Sequence, residues 1–358
     1  MFDKKQGFVI FVKIPNQHPY NLYFVLNKLL LIATLLGCKL ICRAQQVNIR
    51  VLQQGTAFTD SSYYDIMPVS DSLYWICGKY GTLKAINVAG DLTTVEYPSQ
   101  QVDIYKMDKF DAHNLIACGD KGLIYHHNLR TKSWQILKIK GYENACFYNM
   151  CVIDASTVFV CGGNSAIAHS KKTIPKGFIL KSTDRGQTWT KVYGNALKMV
   201  WCVKQNPYNG QMYALMYVPN RTHLYAYEAN RWVKKEKIGN SIFHEVQFDN
   251  QYDYVAMGGW IGKKGRLHTR YHKQVFEDTG LIWSKVSGPE YDLYTACNGK
   301  MILDDRLGNR EVFGVKLNDK FSIYEAVFTS SNTAIAIGTA QTILMLRVLP
   351  AVMLTAKP

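Results

Sequence analysis

The chain has 358 residues, of which 47% are hydrophobic and 13% aromatic, and it carries a formal net charge of +15. This composition excludes a disordered or collagen-like chain, and the length allows two domains or one large all-β domain. Tyr (23 residues), Trp (7) and Gly (26), with only ten Pro, are typical of many short strands joined by tight turns. Residues 45–358 contain no long stretch with the 3.6-residue hydrophobic period of a helix, so we expect an all-β fold.

The N-terminal region has the pattern of an export signal. An apolar run from Leu29 to Leu36 follows Lys28 and leads to the small residue Ala44. The run is too short to span a bilayer comfortably, which favours a secretory signal peptide over a membrane anchor or a buried core segment. We therefore predict a protein that is secreted or periplasmic, with cleavage after Ala44.

This export signal defines the predicted domain boundaries. Residues 1–24 lack a pattern and are interpreted as an over-long translation start, residues 25–44 as the signal peptide, and residues 45–358 as one domain. Leu35-Leu36-Gly37-Cys38 also resembles a lipobox, so a lipoprotein anchored through Cys38 is the alternative. Neither reading predicts a transmembrane segment in the mature chain.

The charge is basic along most of the sequence. Residues 1–44 contain six Lys and Arg residues and one Asp, which leaves +10 for residues 45–358. A basic exported protein is expected to attract an acidic glycan or an acidic protein, although ordinary solubility charge explains the same excess. We expect no nucleic-acid partner.

Seven cysteines follow Ala44, and their pattern favours free thiols. Cys77, Cys118 and Cys161 each precede a Gly at one repeated strand position, where a small buried residue is expected. Cys146 and Cys151 could form a disulfide, but their spacing does not require one. The sequence has no Cys-x-x-Cys pair, so we predict no structural zinc site and no cofactor.

An apolar strand that ends in Gly recurs along the chain and predicts a repeat fold. The copies end at Gly78, Gly119, Gly162, Gly258 and Gly338, and a Gly-free copy lies at 212–216. A second strand precedes each copy by about twelve residues. Its copies lie at 64–67, 104–107, 147–150, 199–202, 243–246, 293–296 and 323–326.

Seven repeats over residues 45–358 leave about 45 residues for each, which is typical of a β-propeller blade of four antiparallel strands. We therefore predict a seven-bladed propeller that is a monomer, with six or eight blades as alternatives. The last unit lacks a final strand after Val348, whereas Val47–Val51 is a strand that precedes the first complete unit. We expect this N-terminal strand to complete the last blade.

The stretch Ser182-Thr183-Asp184-Arg185-Gly186-Gln187-Thr188-Trp189 reads Ser-x-Asp-x-Gly-x-Thr-Trp. It resembles the Asp-box, or BNR repeat, of many β-propellers. The acid can accept backbone hydrogen bonds of a turn, the glycine can adopt positive φ, and the tryptophan can fill the space between two sheets. The structural residues are expected to be Ser182, Asp184, Gly186, Thr188 and Trp189. Trp134, Trp232 and Trp283 are interpreted as copies that kept only the tryptophan.

Residues 45–358 resemble the secreted propellers grouped with photosystem II assembly and stability factors, on the apolar strand, the Gly-x-x-Gly and the Asp-box. This resemblance implies an exported, non-enzymatic scaffold that binds a protein or an anionic polymer. The alternative is a glycan-active enzyme or lectin on the same fold. Asp120, Asp154 and Glu245 are candidate carboxylates for such an enzyme, but their positions near strand ends favour turn capping of backbone N–H groups, and we predict no catalytic residue.

Two surfaces are candidates for binding. In the stretch 262–273, strand alternation would place Arg266, His268, Arg270 and His272 on one face as a cationic row for an acidic partner. A solvated basic face that discourages edge pairing is the alternative interpretation. The second candidate is a mouth of the central channel, where Tyr105, Tyr148, Tyr294 and Tyr324 are expected on inner strands.

Overall fold

The computed structural model describes residues 43–55, 62–97, 100–164, 176–195, 197–218, 221–260, 264–269, 273–277, 279, 281–305, 310–315 and 321–353. The main compact unit is Val47–Val348. Met1–Gln46 and Leu349–Pro358 form a second unit, of which only the strand ends at 43–46 and 349–353 are described. The predicted extension and almost all of the predicted signal peptide lie outside the described residues. Where the chain is described, no helix is long and apolar enough to cross a membrane.

The described residues form 28 strands and one short 3₁₀ turn, Lys79–Gly81. The first nine strands are β1 (Arg43–Gln53), β2 (Tyr63–Pro68), β3 (Leu73–Gly78), β4 (Leu83–Asn87), β5 (Leu92–Thr94), β6 (Ile104–Lys109), β7 (Asn114–Gly119), β8 (Leu123–Asn128) and β9 (Ser133–Lys138). The next eight are β10 (Ala145–Val152), β11 (Val158–Asn164), β12 (Gly177–Ser182), β13 (Thr190–Asn195), β14 (Met199–Gln205), β15 (Met212–Val218), β16 (Arg221–Glu228) and β17 (Arg231–Gly239).

The remaining strands belong to the last three sheets. They are β18 (Ile242–Phe248), β19 (Tyr254–Trp260), β20 (Lys264–Thr269), β21 (Lys273–Glu277), β22 (Ile282–Ser287), β23 (Asp292–Ala296), β24 (Lys300–Asp304), β25 (Arg310–Gly314), β26 (Ile323–Phe328), β27 (Thr333–Gly338) and β28 (Ile343–Met353).

The strands form seven four-stranded antiparallel sheets, and the fold is a seven-bladed β-propeller as predicted. Six blades take four consecutive strands each: β2–β5, β6–β9, β10–β13, β14–β17, β18–β21 and β22–β25. The seventh has the order β1-β28-β27-β26, so the N-terminal strand is its outer strand. Val47 and Ile49 of β1 pack against the apolar cluster between the sixth and seventh blades. The predicted closure of the ring is confirmed.

The first strand of each blade lies innermost, and the seven inner strands form a closed ring. Each of β2, β6, β10, β14, β18, β22 and β26 contacts the next, and β26 contacts β2. Apolar side chains from facing sheets fill the space between neighbouring blades, and each of these clusters is a separate small core. The described cysteines are free and buried in these cores, so Cys146 and Cys151 do not form a disulfide.

Every inner strand carries a β-bulge near its start, and the repeated glycine explains its position. In the second blade, the register between β6 and β7 shifts at Tyr105, beside the pair Ile104 and Gly119. A Cβ atom on Gly119 would lie 2.0 Å from the carbonyl oxygen of Asp103. The same close approach of a backbone carbonyl occurs at Gly78, Gly162, Gly258 and Gly338. In these five blades the glycine of the repeat therefore makes room for the carbonyl group beside the bulge, whereas the fourth and sixth blades carry Met216 and Ala296 at the paired position.

The sixth blade differs from the prediction. Residues 293–296 belong to β23, the second strand of the blade, and the inner strand is β22. Trp283 consequently lies on an inner strand and is not an outer-strand copy of the Ser182–Trp189 turn, whereas Trp134 and Trp232 lie on the outer strands β9 and β17. This blade lacks the glycine that marks the repeat, because Ala296 lies opposite the bulge.

Candidate functional site

Seven aromatic side chains, one from each blade, form a collar around the propeller axis. Each stands at the bulge of its inner strand, where the register with the second strand shifts. The members of the collar are Tyr64, Tyr105, Tyr148, Trp201, His244, Trp283 and Tyr324. Neighbouring ring centroids are 4.7–6.0 Å apart in six of the seven blade-to-blade steps, all except the step from Trp201 to His244.

The collar is distinct from the cores between blades. The residue that precedes each collar member is buried, with 3% exposure or less: Tyr63, Ile104, Phe147, Val200, Phe243, Ile282 and Ile323. The seven collar residues themselves are all partly exposed. The preceding residues therefore pack between the sheets, whereas the collar residues line the channel.

Hydrogen bonds hold the collar side chains in the first two blades, whereas polar atoms of the collar on the opposite side lack hydrogen-bond partners among the described residues. The hydroxyl of Tyr64 donates to Asp103 at 3.1 Å, and that of Tyr105 lies 3.5 Å from Asp120. Three polar atoms of the opposite side are buried without a hydrogen-bond partner among the described residues: Trp201 Nε1, His244 Nδ1 and Trp283 Nε1. Buried polar atoms without partners are expected where water or a ligand completes their hydrogen bonds.

His244 is neutral in this environment. Burial lowers the pKa of the imidazole to about 4. Its Nε2 lies 3.1 Å from the carbonyl oxygen of Trp283, and because a carbonyl only accepts, Nε2 carries the proton. Nδ1 is therefore a hydrogen-bond acceptor that faces no donor in the described structure.

A layer of charged and polar residues follows the collar along the channel. Lys106 Nζ lies 2.7 Å from Asp65 Oδ1 and 3.9 Å from Glu325 Oε2, and Lys204 Nζ lies 3.9 Å from Glu245 Oε1. Burial raises the pKa of Glu325 to about 7, and the carboxylates of Asp65 and Glu245 add to this shift while Lys106 opposes it. Two lysines thus face three carboxyl groups, and the crowding of negative charge helps to hold a proton on Glu325 up to about neutral pH.

Beyond this layer the channel widens into a cavity of about 750 Å³. Its lining includes Lys106, Lys204, Glu245 and Glu325, and further ion pairs: Lys285 lies 2.5 Å from Asp249 and 2.9 Å from Asp292, and Arg310 lies 2.5 Å from Asp304. Asp65 and Asp108 adjoin the same charges. The described channel therefore holds seven carboxyl groups (Asp65, Asp108, Glu245, Asp249, Asp292, Asp304 and Glu325) against four cationic side chains (Lys106, Lys204, Lys285 and Arg310). A basic protein encloses an acidic channel.

The mouth of this cavity is acidic as well. It is formed by the seven loops that connect each inner strand to the second strand, and all seven loops are described. They contain six acidic residues and neither Lys nor Arg. The acids are Asp71, Asp111, Asp154, Asp249, Asp253 and Glu290. Backbone N–H groups of the turns lower the pKa of Asp111 to about 2 and also lower that of Asp154, so both carry charge at neutral pH.

Two exposed tyrosines stand at this mouth. Tyr208 lines the cavity and is 58% exposed, and Tyr252 in the neighbouring loop is 65% exposed. The two loops are tied together, because the Asn206 side-chain amide donates to the carbonyl oxygens of Asn250 and Gln251 at 3.2 and 3.3 Å. The two loops that bear the tyrosines are thus hydrogen-bonded to each other beside the opening.

The predicted cationic row is only partly described. Arg270 and His272 lie outside the described residues. Arg266 is half-buried on β20, whereas His268 is 3% exposed, 3.3 Å from Glu236 and in contact with Tyr254. His268 therefore does not lie on a solvated face, as an open cationic row requires. Anion binding by these four residues stays a prediction.

The other predicted residues divide between turns and the channel. Asp154 caps its turn by accepting from the N–H groups of Ser156 and Thr157. Asp120 accepts from the Cys146 thiol at 2.5 Å and adjoins the collar, and Glu245 lines the cavity. Of the four predicted channel tyrosines, three belong to the collar. Tyr294 lies on β23, a second strand, rather than on an inner strand, but it still lines the cavity.

The stretch Ser182–Trp189 forms the turn between β12 and β13, away from the channel. Asp184 accepts from the backbone N–H of Thr188 at 2.9 Å and from its hydroxyl, and Ser182 Oγ accepts from the N–H of Gly186 at 2.7 Å. These hydrogen bonds lower the pKa of Asp184 to about 2. Trp189 packs beside the core between the second and third blades. The roles predicted for this turn are structural.

Sequence reasoning missed most of the collar as a unit. The members that were missed, Tyr64, Trp201, His244 and Trp283, represent three residue types at one structural position, and the bulge that aligns them has no direct signature in the sequence. The available signal was the aromatic residue that follows each buried position at the start of an inner strand. Over the part of the chain that is described, no three His, Cys, Asp or Glu side chains are grouped so as to hold a metal ion.

The sequence matches no protein-family model and no curated protein. Solved structures do resemble the fold. A structure of YCF48 bound to a D1 peptide has a TM-score of 0.61 at 12% identity, over 85% of this chain and 98% of that chain. Virginiamycin B lyase from Staphylococcus aureus has a TM-score of 0.64 at 11% identity, over 85% and 100%. YCF48 from Cyanidioschyzon merolae has a TM-score of 0.61 at 10% identity, over 84% and 98%. At these identities the likeness concerns the fold.

Proposed function

We propose that the protein is an exported, non-enzymatic scaffold that binds a protein partner at the mouth of the channel. The observation that carries this proposal is the pair of exposed tyrosines, Tyr208 and Tyr252, on two hydrogen-bonded loops beside a cavity of about 750 Å³. Tyrosine supplies a large contact area and a polar tip at low cost in conformational entropy, which suits a protein interface. Export rests on the apolar run Leu29–Leu36 and belongs to the same proposal.

Two further observations support a protein partner. YCF48, a structural neighbour, has been solved with a D1 peptide, so a propeller of this shape can serve peptide binding. The chain also resembles the photosystem II assembly and stability factors in its repeat, and we place it near that group. The charge of the mouth argues against the acidic polymer considered from composition, because six carboxylates would repel it at this face.

Site-specific photo-crosslinking in the cell envelope tests the proposal. A benzophenone amino acid replaces Tyr208 at the cavity mouth or Tyr80 near the collar, which are 58% and 55% exposed. Thr94, exposed on the outer strand β5, is the matched control position. We expect a discrete protein adduct from position 208 and none from position 94. Adducts that contain only glycan, or equal labelling at 94 and 208, would contradict the proposal.

Glycan hydrolysis is a second candidate, favoured by the carboxyl pair of the channel. Glu325, with its pKa raised to about 7, could act as a general acid at neutral pH, and Glu245 lines the same cavity. The test is hydrolysis of a panel of nitrophenyl glycosides and of cell-envelope glycans. Turnover that disappears in Glu325→Gln would support this candidate, and no turnover above a heat-denatured control would remove it.

A further inference from the structure

The charged side chains of the channel favour a positively charged ligand. Its described part holds an excess of carboxyl groups over cationic side chains, and three of them, Asp65, Glu245 and Glu325, surround only two lysines directly beneath the collar. An added cation at this level would balance the charge of the group. Low-dielectric walls strengthen such an interaction relative to water.

The collar adds a second reason to expect a cation. Tyr and Trp rings attract an ammonium or guanidinium group through the negative potential of their faces, and their carbon atoms also pack against an alkyl stem. Five collar members adjoin one another from Trp283 through Tyr324, Tyr64 and Tyr105 to Tyr148. His244 Nδ1 is an acceptor without a donor at the same level.

The charges along the path from the cavity mouth to the collar favour the entry of cations. The seven loops of the mouth contain six acidic residues and neither Lys nor Arg, although Arg185 from the turn between β12 and β13 pairs with Asp111 and Lys285 pairs with Asp249. The cavity beyond them also holds more carboxyl groups than cationic side chains. Clefts lined by one sign of charge concentrate the opposite ion and increase its rate of entry. An anionic group would meet a net excess of carboxyl groups along this path.

We propose that the channel receives a cationic side chain of the partner, an alkylammonium or guanidinium group, which enters by the acidic mouth and lies between the carboxylates of Glu245 and Glu325 and the aromatic collar. This inference rests on the proposed protein-binding function and names the chemistry of the anchor. Tyr208 and Tyr252 then contact the chain that bears the cation.

Small probes test the anchor without the partner. The protein is labelled with 5-fluorotryptophan, and the ¹⁹F resonances of Trp201 and Trp283 are assigned from Trp201→Phe and Trp283→Phe. N-acetyl-lysine methylamide and N-acetyl-arginine methylamide are titrated against N-acetyl-norleucine methylamide, which lacks the charge. We expect the two cationic probes to shift these resonances with dissociation constants near 1 mM, and the norleucine probe to bind at least about 5-fold more weakly.

Substitutions test whether the probe binds in the channel. Glu245→Gln/Glu325→Gln is expected to weaken the cationic probes about 5-fold or more. Glu228→Gln, which removes a carboxylate paired with Lys235 on the surface, is the matched control and should leave binding unchanged. Circular dichroism verifies that each variant is folded. Equal affinity for the norleucine probe, or full binding in the double variant, would overturn the inference.

Crosslinking separates this inference from the proposed function. If position 208 still captures a protein partner in Glu245→Gln/Glu325→Gln at the wild-type yield, the scaffold role stands and the cationic anchor is wrong. If the cationic probes bind but no protein is captured, the site serves a free amine or guanidine and the protein partner is wrong. Loss of both capture and probe binding in the double variant is the result we expect.

Discussion

Tyr64 in the first blade and Tyr324 in the last have ring centroids 5.8 Å apart, and this contact carries the aromatic collar across the join between the two ends of the propeller. The collar therefore depends on closure of the ring. Closure in turn depends on β1, the N-terminal strand that completes the last blade.

The first prediction concerns this closure. Ile49 packs against the cluster between the last two blades, whereas Arg50, the next residue on β1, is exposed. We expect Ile49→Asn to lower the free energy of unfolding by about 1–2 kcal/mol through loss of buried apolar surface, and Arg50→Asn to change it by less than about 0.5 kcal/mol. Urea unfolding monitored by circular dichroism measures both. Equal effects of the two substitutions would show that β1 does not pack as described.

The second prediction concerns the repeated glycine. A Cβ atom at Gly119 would meet the carbonyl oxygen of Asp103 at 2.0 Å, whereas one at Gly194 would meet only the flexible Lys191 side chain at 3.3 Å. We expect Gly119→Ala to destabilise the protein by about 1–3 kcal/mol, because the bulge must shift to relieve the overlap. Gly194→Ala should be nearly neutral. Thermal unfolding compares them, and a neutral Gly119→Ala would refute the steric role of the repeat.

The third prediction concerns the turn Ser182–Trp189. Asp184→Ala removes hydrogen bonds to the backbone N–H and hydroxyl of Thr188, and we expect it to cost about 1–2 kcal/mol of stability. Because this turn lies on the outer part of the third blade, capture of a partner at position 208 should be unchanged. Denaturant unfolding gives the first quantity and crosslinking the second. Loss of capture in a stably folded variant would assign Asp184 a binding role.

The fourth prediction concerns pH. The pKa of Glu325 is raised from 4.5 to about 7 in the folded state, so the folded protein binds this proton more tightly than the unfolded chain does. The stability that this group contributes is therefore complete below pH 4.5 and falls as the pH rises to about 7. We expect Glu325→Gln to be more stable than wild type at pH 8, by at most about 3 kcal/mol, and the difference to vanish near pH 4.

Unfolding of both proteins in urea at pH 4, 6 and 8 measures this difference. Glu228→Gln on the surface is the control, and its stability relative to wild type should not vary with pH by more than about 0.5 kcal/mol. A pH-independent difference for Glu325→Gln would mean that the pKa of Glu325 is the same in the folded and unfolded states.

The sequence by itself determined the architecture, because the signals of a propeller are local and repeated. Five of the seven second strands carry a glycine that reports a steric contact within one blade, so Gly78, Gly119 and Gly162 could be aligned without a structure. Val47–Val51 could be assigned to the last blade because an incomplete blade and an unpaired strand each need a partner. The alignment slipped only where Ala296 replaced the glycine, which moved Trp283 and Tyr294 to the wrong strands.

Only the tertiary structure decided the site. The collar has no single residue type, since it includes Tyr64, Trp201, His244 and Trp283. These side chains form one collar only because the bulges place them at one height around an axis. Composition predicted a basic surface for an acidic partner, whereas Asp65, Glu245 and Glu325 from three separate blades converge on an acidic channel. No local sequence pattern marks any of these carboxylates as part of a site. The charge of the cavity arises only because ring closure brings residues of separate segments together.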